Sequence, residues 1–274
     1  MKLIRMNPIR SLAQALLTIG LLTLSAHAMQ AAPAQPQTPA VKKQPTAKTQ
    51  AEYDAYMKFW NEADAELKIK NAEDFLKAYP QSELRIYAYQ AEMQSYQVKN
   101  DFAHMRDFGE RILEIDPNDL VTLIALAGAL PERTQDTDLD KDQKRTAAET
   151  YAKRALEQID KMGKPAEPAQ AAQWEERLND ARSQAHYALA LVALQRKSYP
   201  QALEEMTLAA KLQSPSQPDP ILYWRLGLTY EFNNKRDEAL KAYERSVALG
   251  GVKLGGKDQA TEDRDRLKKQ LDKK

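Results

Sequence analysis

PILYWRLGLTYEFNNKRDEALKAYERSVAL, residues 220–249, decides the fold. Leu226 and Gly227 set a large residue beside the smallest one, and Tyr230 follows one helical turn later. Ala239 and Tyr243 repeat the theme as a small and an aromatic residue four apart. Side chains three and four apart share one face of a helix, so both halves of the stretch read as helices that meet through these positions. A two-helix unit of this kind cannot bury its apolar face alone, and further copies must stack on it.

Further copies can be set in register. In Leu84–Pro117 the first helix carries Tyr89, Met93 and Tyr96, Asn100-Asp101 turns the chain, and Phe102–Ile115 forms the second helix. Asp116-Pro117-Asn118 then stops it, because proline cannot continue a helix, and Asn118 is placed to cap the next one. Counting 34 residues on from Tyr89 and Tyr96 lands on Leu123 and Leu130. The run Leu120–Ile124 has strand composition, but its continuation Ala125–Leu130 favours helix. An insertion, LPERTQDTDLDKDQ, delays the second helix of this unit, which resumes at Ala148, Ala152 and Ala155-Leu156. The fourth unit uses Tyr187, Leu189-Ala190 and Ala193, then Ser198-Tyr199-Pro200-Gln201 as a capping-box-like start, with Ala202, Met206 and Ala209 on its second helix. Asp219-Pro220 opens the fifth in the same way. A first unit runs from Tyr53–Asn61 through Ala72, Phe75-Leu76, Tyr79-Pro80 and Ser82. The rest is rich in strong helix formers, and the expected class is all-α.

The amino-terminal end speaks to location. Lys2, Arg5 and Arg10 precede an apolar run from Leu12 to Ser25, and Ala26-His27-Ala28 fits a small-x-small cleavage site. Residues 1–28 therefore read as a signal peptide for export to the periplasm or beyond. The alternative is an uncleaved anchor over Ile9–Ala28, the one way this chain would meet a membrane. Residues 29–50 carry four prolines and no acid, and read as a disordered, partly polyproline-like tether. The repeats then occupy 51–256, about five units, and 257–274 is a charged final helix. The chain has no cysteine, so no disulfide or lipid-modified cysteine is available. Net charge is +1, and removing the three cations of the signal leaves 37 cations against 39 anions, which gives no electrostatic footprint for nucleic acid.

The pattern of Leu226-Gly227, Tyr230, Ala239 and Tyr243, with the IDPN stop, resembles the tetratricopeptide-repeat superfamily over about 190 residues. The phrase FLKAYPQS resembles repeats of periplasmic proteins that assist outer-membrane assembly and envelope constriction. LPERTQDTDLDKDQ followed by YAKRALE resembles exported members of undefined role. The resemblance implies a right-handed superhelix, irregular here because of the insertions, with a terminal capping helix. It also implies that a protein or peptide lies along a concave face lined by first helices. By register that face takes Tyr87, Gln90, Gln94 and Gln97, then Tyr187, Leu191 and Leu194, then Trp224, Leu228 and Glu231. Amides can bond a peptide backbone while rings cover its apolar side chains. Packing of Leu191, Trp224 and Leu228 against the next unit or the final helix is the competing reading. The sequence leaves the oligomeric state and the identity of the partner open.

Other constellations are weaker. Asp136, Asp138, Asp140 and Asp142 alternate like the start of a calcium loop, but Lys141 and Ala147 stand where glycine and glutamate are required. Gly251–Lys257 matches most of a phosphate-binding loop, yet Asp258 replaces the Ser or Thr that would hold magnesium, and a helix leads in where a strand is needed. No metal and no cofactor is expected. His104 and His186 fall on different units, and no nucleophile pattern accompanies them, so the expectation is a binding scaffold and not an enzyme. The alternatives are an accessory factor in outer-membrane assembly or division, an enzyme that recruits substrate through its repeats, and a structural spacer.

Overall fold

The computed structural model describes residues 45–273, so the expected signal peptide and residues 29–44 of the expected tether lie outside the described residues. The chain enters as α1 (Gln50–Trp60), α2 (Ala65–Ala78), α3 (Arg85–Val98) and α4 (Phe102–Ile115). It continues as α5 (Leu120–Arg133), α6 (Lys141–Lys161), α7 (Pro168–Gln195), α8 (Tyr199–Leu212), α9 (Pro220–Phe232) and α10 (Arg236–Ala248). A two-residue hairpin, β1 (Lys253–Leu254) and β2 (Lys257–Asp258), leads into α11 (Gln259–Leu271). The fold is all-α. The described residues divide into two compact units, 45–115 and 116–273, each with its own core.

Within each unit successive helices pack on one another, and the turn between the helices of a pair is stereotyped. After α3, α7 and α9 the residues Asn100, Lys197 and Asn234 adopt φ of 59°, 60° and 59°. In each case the next amide reaches back to the carbonyl five residues earlier: Asp101 to Tyr96, Ser198 to Ala193 and Lys235 to Tyr230, all at 2.9 Å. These are Schellman ends, which satisfy helix carbonyls that would otherwise lack donors. Gly250 (φ 107°) closes α10 the same way, with Gly251 N–H donating to Ser246 at 2.9 Å.

The residues that declared the repeat meet where that reading requires. A β-carbon on Gly227 would lie 2.4 Å from the Tyr243 ring, so only glycine lets α9 and α10 approach so closely. Ala239 and Tyr243 are fully buried there with Trp224 and Val252. In 45–115 the core is Phe59, Ala72, Phe75, Leu84, Ala88 and Ala91.

Local chemistry departs from expectation at several points. The cap of α5 is Asp119, which accepts from Thr122 N–H at 2.9 Å, while Asn118 accepts from Arg154 at 3.0 Å. Asp carries charge to the positive end of the helix, which Asn cannot do. Ser198 makes no capping bond, and the start of α8 is held instead by Asn233, whose amide donates to Tyr199 O at 2.9 Å. The insertion is only partly helix: α5 continues through Pro131 to Arg133, residues 134–140 form a loop of turns, and α6 and α7 run to 21 and 28 residues. Helix α1 takes up the last residue of the expected tether, and Thr46 N–H bonds Glu83 at 3.2 Å. Gly255 and Gly256, at φ 55° and 83°, make the β1–β2 turn. Gly251 leaves room for the Asp258 carboxylate, which accepts from Val252 N–H at 2.8 Å and caps α11.

Candidate protein-binding faces

In 45–115 the first helices α1 and α3 bring an aromatic ladder together. Tyr56 is its hub, with ring centroids 5.3 Å from Phe59, 5.6 Å from Trp60 in a stacked arrangement, 5.8 Å from Tyr87 and 6.2 Å from Tyr53. Trp60 also meets Tyr87 edge-on at 6.0 Å. Phe59 is fully buried and anchors the ladder to the core, Tyr56, Trp60 and Tyr87 are half-buried, and Tyr53 is 46% exposed. Burial, reinforced by the Tyr87 and Tyr53 phenols, pushes the Tyr56 hydroxyl up to about 12, so it stays a neutral donor. Gln90, Gln94 and Gln97, all half-buried, continue the stripe of α3 begun by Tyr87. The expected residues of this unit thus sit together, and α1 adds Tyr53, Tyr56 and Trp60, which sequence reasoning missed. Their spacing of three and four on one helix was the available signal.

The expected residues of 116–273 are already engaged. Tyr187 on α7 donates to Glu132 of α5 at 3.3 Å, and Arg225 of α9 lies 5.3 Å from its ring centroid. Glu132 and Arg225 form a two-bond ion pair, one arm at 2.9 Å, with both side chains 5% exposed. Burial opposes the Arg225 cation, but Tyr187, Glu132 and Asp219 around it outweigh that and hold its pKa above the ordinary value. Burial also raises Asp219. Leu191 is a core residue at 3% exposure and offers no surface, while Leu194, half-buried, packs on the same cluster. Helix α11 takes the remaining three. Trp224 is 6% exposed and donates from Nε1 to Asp263 at 2.9 Å. Leu228 packs on the cluster of Trp224 and Leu267, and Glu231 accepts twice from Arg266 at 2.8 and 3.0 Å. The alternative noted from sequence, packing against the final helix, describes Trp224 and Leu228.

The other constellations resolve into ordinary contacts. Lys144 bridges Asp138 and Asp140 at 3.0 and 2.8 Å, and Arg145 bridges Asp136 and Asp142 at 2.8 and 3.2 Å, so the alternating acids face cations. Among the described residues no group of three His, Cys, Asp or Glu is placed to hold a metal ion. His104 bonds Asp101 at 2.7 Å and stacks on Tyr96 at 4.6 Å, while His186 bonds Glu205 at 2.7 Å. Gly251–Lys257 is the β-hairpin and its approach, not a loop opening onto a helix from a strand.

Known structures share this architecture. MamA matches with a TM-score of 0.50 and 18% identity, over 74% of this chain and 96% of that one. PilW, a widely conserved type IV pilus biogenesis factor, matches with a TM-score of 0.51 and 14% identity, over 81% and 93%. Both are tetratricopeptide-repeat proteins. The chain has the tetratricopeptide-repeat fold. No protein-family profile matches it, and no curated protein does. The Schellman turns at Asn100, Lys197 and Asn234 follow α3, α7 and α9, the helices that the sequence register expects to be first helices of its units. Among the described residues no helix is long and apolar enough to cross a membrane.

Proposed function

We propose that this chain is a protein- or peptide-binding scaffold of the bacterial cell envelope, and that its binding face is the first-helix surface of 45–115. One observation carries the reading: Tyr53, Tyr56, Trp60 and Tyr87 form a partly open aromatic ladder continued by the amides of Gln90, Gln94 and Gln97. Rings supply contact area at small entropic cost, and amides supply the donors and acceptors an extended peptide needs. The fold shared with MamA and PilW supports a scaffold role in general. The signal-like residues 1–28 and the likeness to a pilus biogenesis factor support the envelope. An accessory role in envelope assembly is the narrower form of the same proposal.

The test is photo-crosslinking in the native cell. A photoreactive residue at Gln94 is expected to capture one recurrent protein, and the same residue at Leu208 on α8 is expected not to. Equal capture from both positions, or none from Gln94, would overturn the assignment. Amino-terminal sequencing of the purified protein checks export, with Met29 as the expected first residue.

A further inference from the structure

The sequence before the ladder has a period that the ladder can read. Pro33, Pro36 and Pro39 are three apart, and Pro45 falls in the same phase. A polyproline II helix has three residues per turn, so these four prolines occupy one edge of such a helix. Edges of that kind dock on aromatic-lined surfaces, and the docking costs little entropy because the conformation is stiff beforehand. Residues 29–45 contain two lysines, Lys42 and Lys43, and no acid.

The chain enters the structure against the ladder itself. Ala47 packs on the cluster that holds Phe59, Tyr56, Trp60 and Tyr87. Thr46 N–H bonds the Glu83 carboxylate at 3.2 Å, and Lys43 and Lys42 precede Thr46 by three and four residues in the sequence. Lys48 and Thr49 are bends just before α1. From Pro33 to Pro45 a polyproline helix would span about 37 Å, and α1 is only about 16 Å long. The segment therefore has ample reach to lie back along α1, past Tyr53, Tyr56 and Trp60.

We propose that the proline edge of residues 33–45 docks intramolecularly on the Tyr53–Tyr56–Trp60–Tyr87 ladder and competes with the partner for it. This rests on the ladder being the binding face. Because both elements belong to one chain, a weak contact is enough: a short tether gives effective concentrations in the millimolar range.

The experiment uses the full chain, processed by the cell, with a photoreactive residue at Gln37. Peptide mapping is expected to find adducts within one chain to Tyr53, Tyr56, Trp60 or Tyr87, at a yield independent of protein concentration. Replacing the three tether prolines together (Pro33→Ala, Pro36→Ala, Pro39→Ala) should cut that yield about tenfold, equivalent to ~1.4 kcal/mol of docking free energy. The same replacement should raise partner capture from Gln94. Adducts elsewhere in the chain, adducts between two copies, or a yield indifferent to the prolines would overturn the proposal. The two readings fail differently. Partner capture at Gln94 without a tether adduct removes the latch and leaves the binding face, whereas loss of both removes the face as well.

Discussion

The two units of the molecule treat a buried carboxylate in opposite ways. In 116–273, Glu132 is sunk between first helices and answered by Arg225 and Tyr187. In 45–115, Glu92 on α3 is 1% exposed, and one of its oxygens has no hydrogen-bond partner. Burial first, then the Glu73 charge, pushes its pKa up to about 8, against the weaker pull of Arg111. The contrast follows function as we read it. The unit whose first-helix face is filled by its own charges and its own final helix has paired them, and the unit whose face stays partly open holds a carboxyl whose burial favours the neutral form.

The contrast can be broken most forcefully at the ion pair. Glu132→Ala leaves the Arg225 cation buried and unanswered, and should destabilise 116–273 by about 3–5 kcal/mol. Replacing both residues with methionine should return most of that loss. Denaturant titration of the three proteins decides it, and a single substitution as mild as the double one would show that the pair contributes little. At the close contact of α9 with α10, Gly227→Ala drives a methyl into the Tyr243 ring. The expected cost is about 1–3 kcal/mol, even though alanine is the better helix former.

Glu92 sharpens the comparison through pH. Its folded pKa of about 8 lies above the ordinary 4.5, so the folded state holds the proton more tightly. The associated stability is complete below pH 4.5 and is lost as pH rises through 8. The groups facing Glu92 are Glu73 and Lys77 from α2 and Asp107 and Arg111 from α4. Glu92→Gln should therefore gain about 1–3 kcal/mol over the wild type at pH 9, the cost of an unsatisfied buried group. At pH 5 the variant and the wild type should match within error, as melting curves at the two pH values can show. The smallest effect belongs to the repeat turns. Lys197 holds the left-handed conformation that Asn100 and Asn234 hold elsewhere. Lys197→Asn should stabilise by about 0.5 kcal/mol, since asparagine tolerates that region better.

Much of this was legible in the residues. Gly227 on one helix and Tyr243 on the next mark the tiny and aromatic positions of a repeat unit, and the IDPN stop sets the phase of the unit after it; that the two touch is seen only in the structure. The exact caps were not legible: Asn118 and Asp119 are adjacent and both capable, and the choice depends on where Arg154 sits. The fate of Trp224 was hidden for a different reason. A ring on a first helix looks the same in sequence whether a partner or α11 covers it, and the decisive Asp263 is 39 residues away. Glu92 and Glu132 likewise read as two of many helix-surface acids, since burial is a property of the packing around them. On α1 the ladder was overlooked because Tyr53, Tyr56 and Trp60 read equally well as core.

Whether a partner binds the aromatic face of 45–115 is decided by repeating the Gln94 crosslink in a Tyr56→Ala, Trp60→Ala background whose far-ultraviolet circular dichroism matches the wild type. Capture of the recurrent protein should fall at least about thirtyfold, the ~2 kcal/mol of a binding hot spot. Undiminished capture of the same protein would contradict binding there.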